Sequence, residues 1–236
     1  MSDDIFVPHA FFFDTNSLIA EGWPNPSAQL LQQLDEMDRM NTVCGIPEVV
    51  ITELEEHTVR KLREEWGNAT STVKKAIKKF ASLSPLPPLP SDDGLRADLQ
   101  KKTADFTERF SIIPTTSRPL NEFVDMAIRR GATFGEGGKG FQDAVIFCSI
   151  IDYMIEKNFP AAVIVSNDGA FQNKGVAEMA RQAGIELKIC ESLDAVAELS
   201  LPLDVGSDGR VSVWQERIIL RAQPLDGEQV VITPPV

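Results

Sequence analysis

Apolar residues along this chain fall into two patterns. Short unbroken runs alternate with longer stretches in which apolar positions recur every three or four residues. The first kind predicts buried strands and the second amphipathic helices. Residues 9–13 (HAFFF) run into a polar cluster and predict a strand. Residues 27–40 place Leu30, Leu31, Leu34 and Met37 at helical spacing behind Ser27, a suitable N-cap. "TVCGIP" (42–47) reads as a second strand. Pro47 then opens a helix in which Val50, Leu54 and Leu62 stay in phase and which extends, with interruptions, to about Leu83. "SPLPPLPSDDG" (84–94) is a proline-rich connector. Helices are expected over 95–110 and 119–130, then a glycine-rich loop over 129–142, then a strongly apolar helix over 143–157. "AAVIVSND" (161–168) and "IELKIC" (185–190) read as strands, with a helix over 169–184 between them and another at 192–201 after them. The tail, 208–236, has β-rich runs around an Asp-Gly turn and predicts a hairpin. Strands alternating with helices imply an α/β fold with a central parallel sheet, whose functional edge lies at the carboxyl ends of the strands.

Composition narrows the classes. No apolar run approaches the ~20 residues of a membrane span, and the acidic N-terminus is unlike a secretory signal, so a cytoplasmic protein without a membrane partner is expected. Cys44, Cys148 and Cys190 lie far apart inside apolar segments and read as reduced, buried thiols. The net charge of -12 argues against indiscriminate nucleic-acid binding. It is uneven, however: residues 57–82 hold seven Lys and Arg against two Glu. Within them Lys74, Lys75, Lys78 and Lys79 form a stripe at i, i+4 spacing. The solvated face of an amphipathic helix is the plainer account of that stripe; contact with an RNA backbone is the other.

Two carboxylates fall on the predicted functional edge, Asp14 after the first strand and Asp168 after a later one. Glu53 lies in the first turns of the helix after strand two, and Asp143 opens the apolar helix after the glycine loop. Four converging carboxylates repel: a pair ~4 Å apart costs about 4 kcal/mol at an effective dielectric of 20. Cations relieve that cost, and an all-oxygen ligand set suits Mg²⁺ or Mn²⁺ rather than zinc. Such sites serve metal-assisted phosphodiester hydrolysis. With only His9 and His57 in the chain, a histidine-dependent ribonuclease mechanism is poorly supplied. At 100° per residue, Glu55 points about 160° from Glu53, whereas Glu56 lies within about 60° of it. Glu56 therefore stays open as an alternative to Glu53. Asp152, nine residues after Asp143, is expected on the opposite side of its helix.

The ordered motifs "FFFDTNSL", "GIPEVVITELEEH", "GKGFQDAVIFCSI" and "VIVSNDGAF" resemble those of the PIN-domain nucleases, over roughly residues 9–190. The larger subgroup with a helical insertion is the better likeness. The resemblance implies a three-layer α/β/α fold with a parallel sheet and a Mg²⁺- or Mn²⁺-dependent nuclease, usually acting on RNA. It maps the acidic positions onto Asp14, Glu53, Asp143 and Asp168, as both catalytic residues and metal ligands. Ser166 and Asn16 become residues that orient a carboxylate or a bound water. It also implies a PIN-like domain over 1–200, with a mainly helical insertion at 57–130, and a separate C-terminal extension over 201–236. An RNA substrate is the implied partner; a second copy of the chain and an inhibitory protein stay open as others.

Competing readings have specific weaknesses. "GEGGKG" (135–140) follows a helical pattern rather than a strand, so it is not a dinucleotide fingerprint, and Gly140 stands where a phosphate loop needs Ser or Thr. Lys139 could touch a substrate phosphate or simply be solvated. A haloacid-dehalogenase-type phosphatase needs a second Asp where this chain has Asn16. A PIN-like scaffold that binds RNA or protein without cutting would not need the full acidic set.

Overall fold

The triple phenylalanine forms β1 (Ala10–Phe13), the middle strand of the sheet, and is buried on both faces. That double burial is why the run does not alternate with polar residues. The computed structural model describes residues 6, 8–80, 83–135 and 139–199. After β1 come α1 (Thr15–Ala20), α2 (Ala28–Arg39), β2 (Val43–Pro47), α3 (Glu48–Ile77) and α4 (Asp92–Thr107). Then follow β3 (Ser111–Ile113), α5 (Leu120–Arg129), α6 (Phe141–Lys157), β4 (Ala161–Val165), α7 (Lys174–Gln182), β5 (Glu186–Cys190) and α8 (Leu193–Leu199).

The five strands are all parallel, in the order β3-β2-β1-β4-β5. The chain builds outward from β1 to β3, then restarts on the other side of β1 with β4. The strand order therefore reverses between β1 and β4, and the crevice at their carboxyl ends is where open α/β sheets place ligands. Helices α3 and α6 pack together over β2, α6 also meets β3, and α2 and α8 pack together against β2 and β5. The result is the expected α/β/α arrangement. In register, Phe12 faces Gly45 of β2. A Cβ on Gly45 would come within 2.6 Å of the Phe12 ring, so the large central residue depends on the absent neighbour.

Several elements differ from the pattern-based expectation. Residues 15–20, to which the pattern assigned no element, form the short helix α1, capped by Asp14. Residues 111–113 form an edge strand that hydropathy did not announce. The connector ends earlier than expected, because Ser91 caps α4 at Asp92. The helix expected from 169 starts only at Lys174, where Asn173 caps it; a turn fills 169–173. Helix α3 runs without a break to Ile77. The predicted hairpin at 208–236 lies outside the described residues.

All three cysteines are free and buried. Burial pushes the Cys44 thiol up to about 12 and those of Cys148 and Cys190 to about 11. Among the described residues, no helix is long and apolar enough to cross a membrane.

Candidate active site

The crevice holds an open cleft of about 240 Å³ lined by Asp14, Thr15, Asn16, Glu53, Gly140, Gln142, Asp143, Ile146 and Asp168. All four acids singled out from the sequence meet there, each delivered by a different element.

Asp14 ends β1 and starts α1. Its Oδ1 accepts from the Ser17 amide (2.7 Å), which is why the chain turns into a helix directly after the strand. Its Oδ2 accepts from the Ser166 hydroxyl. Phe13 pairs with Val165, so Asp14 and Ser166 leave adjacent strands side by side. Ser166 is fully buried and also accepts from the Asp168 amide (3.0 Å). One hydroxyl thus ties the first acid to the turn carrying the last, the orienting role expected of it. The Asp168 Oδ1 accepts from the Ala170 amide (2.8 Å), fixing the carboxylate at the start of its turn.

Glu53 comes from the second turn of α3 and accepts from the Thr15 hydroxyl. Glu56 is drawn elsewhere: Arg96 of α4 takes its Oε1 at 2.8 Å. Glu55 accepts from Gln100 (2.9 Å). Of the three glutamates, only Glu53 lines the cleft.

Asp143 sits in the first turn of α6. Gly140, at φ +102°, makes that start possible. A Cβ there would lie 2.5 Å from the Thr133 carbonyl oxygen, and the Gly140 carbonyl accepts from Thr133 Oγ1 (2.9 Å). The glycine loop therefore serves to close against Thr133 and aim the helix that carries Asp143. Asp152, as expected, lies away from the site. It accepts from Arg118 Nη2 and Nε (2.6 and 3.0 Å to Oδ1) and from Thr116 Oγ1 (2.6 Å).

The electrostatics are those of a site with too much negative charge. Burial and then the neighbouring carboxylates Asp168, Glu53 and Asp14 push Asp143 up to about 6. Burial also raises Asp14, against hydrogen bonds from Ser166 and Ser17 that hold it down. Among the described residues no Lys or Arg lines the cleft. Its hard, anionic oxygen donors match a divalent cation such as Mg²⁺ or Mn²⁺ in chemistry and in charge. As the side chains stand, no group of three or more His, Cys, Asp or Glu among the described residues is arranged to hold a metal ion. Two oxygens that a cation would seek are engaged by the Ser166 and Thr15 hydroxyls.

Asn16 is exposed at the rim of the cleft. Lys139 is exposed in the loop before α6 and does not line the cleft. Lys74, Lys75 and Lys78 lie far along α3, also outside it. Thr15 and Gln142 are cleft residues that the sequence reading passed over. Their only signal was adjacency to Asp14 and Asp143.

Among known proteins, a family model described as the PIN domain matches residues 11–171. No curated protein and no solved structure matches the chain. The matched span begins in β1, just before Asp14, and ends just past Asp168, so it contains all four acids of the cleft.

Proposed function

The chain belongs to the PIN domain family, whose members are generally nucleases that use divalent metals, and from that premise we propose that it is a Mg²⁺- or Mn²⁺-dependent endoribonuclease. The observation that carries the reading is the meeting of Asp14, Glu53, Asp143 and Asp168 in one cleft, with no neutralising cation side chain among the described residues. These four residues are the proposed metal ligands. A divalent cation held there would supply charge neutralisation and activation of water for attack on a phosphodiester.

The chain's own residues would do the rest. Ser166 holds Asp14 in a single orientation, and its hydrogen bond to the Asp168 amide keeps the two acids in a fixed relation. Thr15 orients Glu53 and would release one of its oxygens to a cation. Asp143, pushed up to about 6, must lose its proton before it can serve as a ligand. Metal loading should therefore strengthen as pH rises through about 6.

Purified protein incubated with Mn²⁺ and a panel of RNAs and single-stranded DNAs should cut RNA, and Asp14→Asn should not. Equal cleavage by the variant would end the assignment. One observation favours a non-cutting scaffold: among the described residues no three acids are arranged to hold a metal ion. A Mn²⁺ titration separates the two readings. Binding to the folded state alone raises its melting temperature, and a scaffold with a non-functional cleft shows no rise.

A further inference from the structure

The distal part of α3 is not used by the cleft, yet it and the residues just after it carry four exposed lysines in an acidic chain. Helix α3 buries Val50, Leu54 and Val59 and nothing beyond them. Lys74, Lys75, Lys78 and Lys79 are all exposed, and none has a carboxylate partner among the described residues. Arginines elsewhere, at 63, 96, 109, 118 and 181, are each paired with an acid. The contrast is set by the sequence. With 35 Asp and Glu in the chain, none falls between Glu65 and Asp92. A solvent-exposed helix ordinarily gains from i, i+4 pairs of opposite charge. This one instead carries Lys74 and Lys75 in its last turn, with Lys78 at its C-cap and Lys79 just beyond. The helix dipole favours cations in the last turn by about 0.3–1 kcal/mol each, but it does not account for the missing acids.

Direction is the second observation. At 100° per residue, Lys74, Lys75 and Lys78 all fall within about 60° of Glu53 around the helix axis. His57, Arg60 and Ser71 lie in the same sector, and so do two acids, Glu56 and Glu64, the first of them paired with Arg96. Lys74, Lys75 and Lys78 share a shallow concavity with Gly67, Thr70 and Ser71. An unbroken helix therefore presents Glu53 at one end and a hydroxyl-flanked lysine cluster at the other, on one side. The 21 residues from Glu53 to Lys74 place them about 31 Å apart at 1.5 Å per residue.

We propose that the distal face of α3, centred on Lys74, Lys75 and Lys78, is an outboard docking surface for the phosphate backbone of an RNA whose scissile segment lies in the acidic cleft. The proposal rests on the nuclease reading for its ligand. It adds a length requirement: at the ~3.4 Å axial rise per nucleotide of a stacked strand, bridging that distance takes roughly nine nucleotides.

The test measures binding in chelator, so that it does not depend on turnover. Fluorescence anisotropy compares a labelled RNA of about 30 nucleotides with one of about four, too short to bridge, across a salt series. The combined Lys74→Glu, Lys75→Glu and Lys78→Glu variant should bind the long RNA at least about tenfold more weakly. Its log–log salt slope should be shallower by about 2, for three lost single-strand phosphate contacts. The short RNA should bind both proteins alike. The corresponding triple Lys→Gln protein should show the same loss without added acids, and the triple Lys→Arg protein should retain binding. Unchanged long-RNA affinity and salt slope in the charge-reversed protein overturn the proposal, as does loss of binding to phosphatidylserine vesicles but not to RNA. The two readings fail separately. Wild-type protein that binds through the arm but leaves RNA uncut with Mn²⁺ removes the nuclease and keeps the arm. Wild-type protein that cuts RNA while the variant binds it equally well removes the arm and keeps the nuclease.

Discussion

Helix α6 carries two aspartates nine residues apart, and the fold treats them in opposite ways. Asp152 meets a cation and a hydroxyl: Arg118 grips it through two nitrogens and Thr116 adds a third bond. Its charge is answered, and in return it pins the segment before α5 onto α6, with Ser149 accepting from the Thr116 amide (2.9 Å). Asp143 meets three more carboxylates and, among the described residues, no cation side chain, and is pushed up to about 6. A chain with 23 Lys and Arg had cations to spare for that end of the helix. Charge left unanswered at one end and fully answered at the other separates a site that waits for a cation from one that holds the structure together.

The largest effect should come from exchanging the charge at each end. Asp143→Asn should reduce Mn²⁺-dependent RNA cleavage by more than about 100-fold, beyond the 10–100-fold typical of outer-shell changes at metal sites. Asp152→Asn should leave the rate per folded molecule within a few-fold of wild type. Initial rates on one RNA, normalised to folded protein by near-ultraviolet circular dichroism, decide this. Equal losses in both variants would erase the distinction between the two ends.

The second effect has the opposite sign from an ordinary active-site mutation. Asp143 is raised in the folded state, so its ionisation opposes folding. Below about pH 4, where it is protonated folded or unfolded, there is no cost. Between about 4 and 6 the folded protein keeps a proton that the unfolded chain has released, and the cost grows. Above about 6 it is present in full. In chelator, Asp143→Asn should therefore be more stable than wild type at pH 8, by about 3 kcal/mol, and no more stable near pH 4. Added Mn²⁺ should reverse the order at pH 8 by stabilising wild type alone. Urea unfolding at the two pH values checks both halves.

How much of this contrast was legible beforehand varies by residue. Asp14 and Asp168 were readable because central parallel strands are unbroken apolar runs, and the residues at their ends are marked by the break in pattern. Asp143 was readable from the apolar helix behind it, and Asp152 from helical period alone. What escaped depended on partners distant in sequence. Glu53 and Glu56 share a face of α3, and only Arg96, 40 residues away, draws Glu56 off. Strand β3 has a single buried residue, Ile113, and exists by pairing with β2 rather than by its own pattern. Helix α1 is only six residues long, too short to show a period, and its cap is the strand-end acid Asp14 itself. Gly140 looked like a flexible linker residue; its role appears only where the chain closes on Thr133.

A third, smaller effect belongs to the answered end. Asp152→Asn keeps the shape but leaves Arg118, whose side chain is 21% exposed, without its counter-charge. The Asp152 side chain is itself 37% exposed, so solvent screens the pair and the loss should be about 1 kcal/mol. It should shrink in high salt. The pH 8 gain of Asp143→Asn should persist there more fully, because burial is its first cause.

The smallest effect isolates geometry from charge. Arg118 reaches Asp152 through Nε and Nη2 together, a planar fork that lysine cannot reproduce. Arg118→Lys keeps the counter-charge and loses the second bond, so it should cost roughly half of what Asp152→Asn costs, on the order of 0.5 kcal/mol. The double variant should cost no more than Asp152→Asn alone, since both act on one interaction. If Arg118→Lys matches Asp152→Asn, the fork itself carries the bond, and Asp152 is a shape-matched clamp more than a neutralised charge. If it costs nothing, charge alone suffices. In that case the difference between the two ends of α6 reduces to one variable, the presence of a cation, and that is the variable Mn²⁺ supplies at the other end.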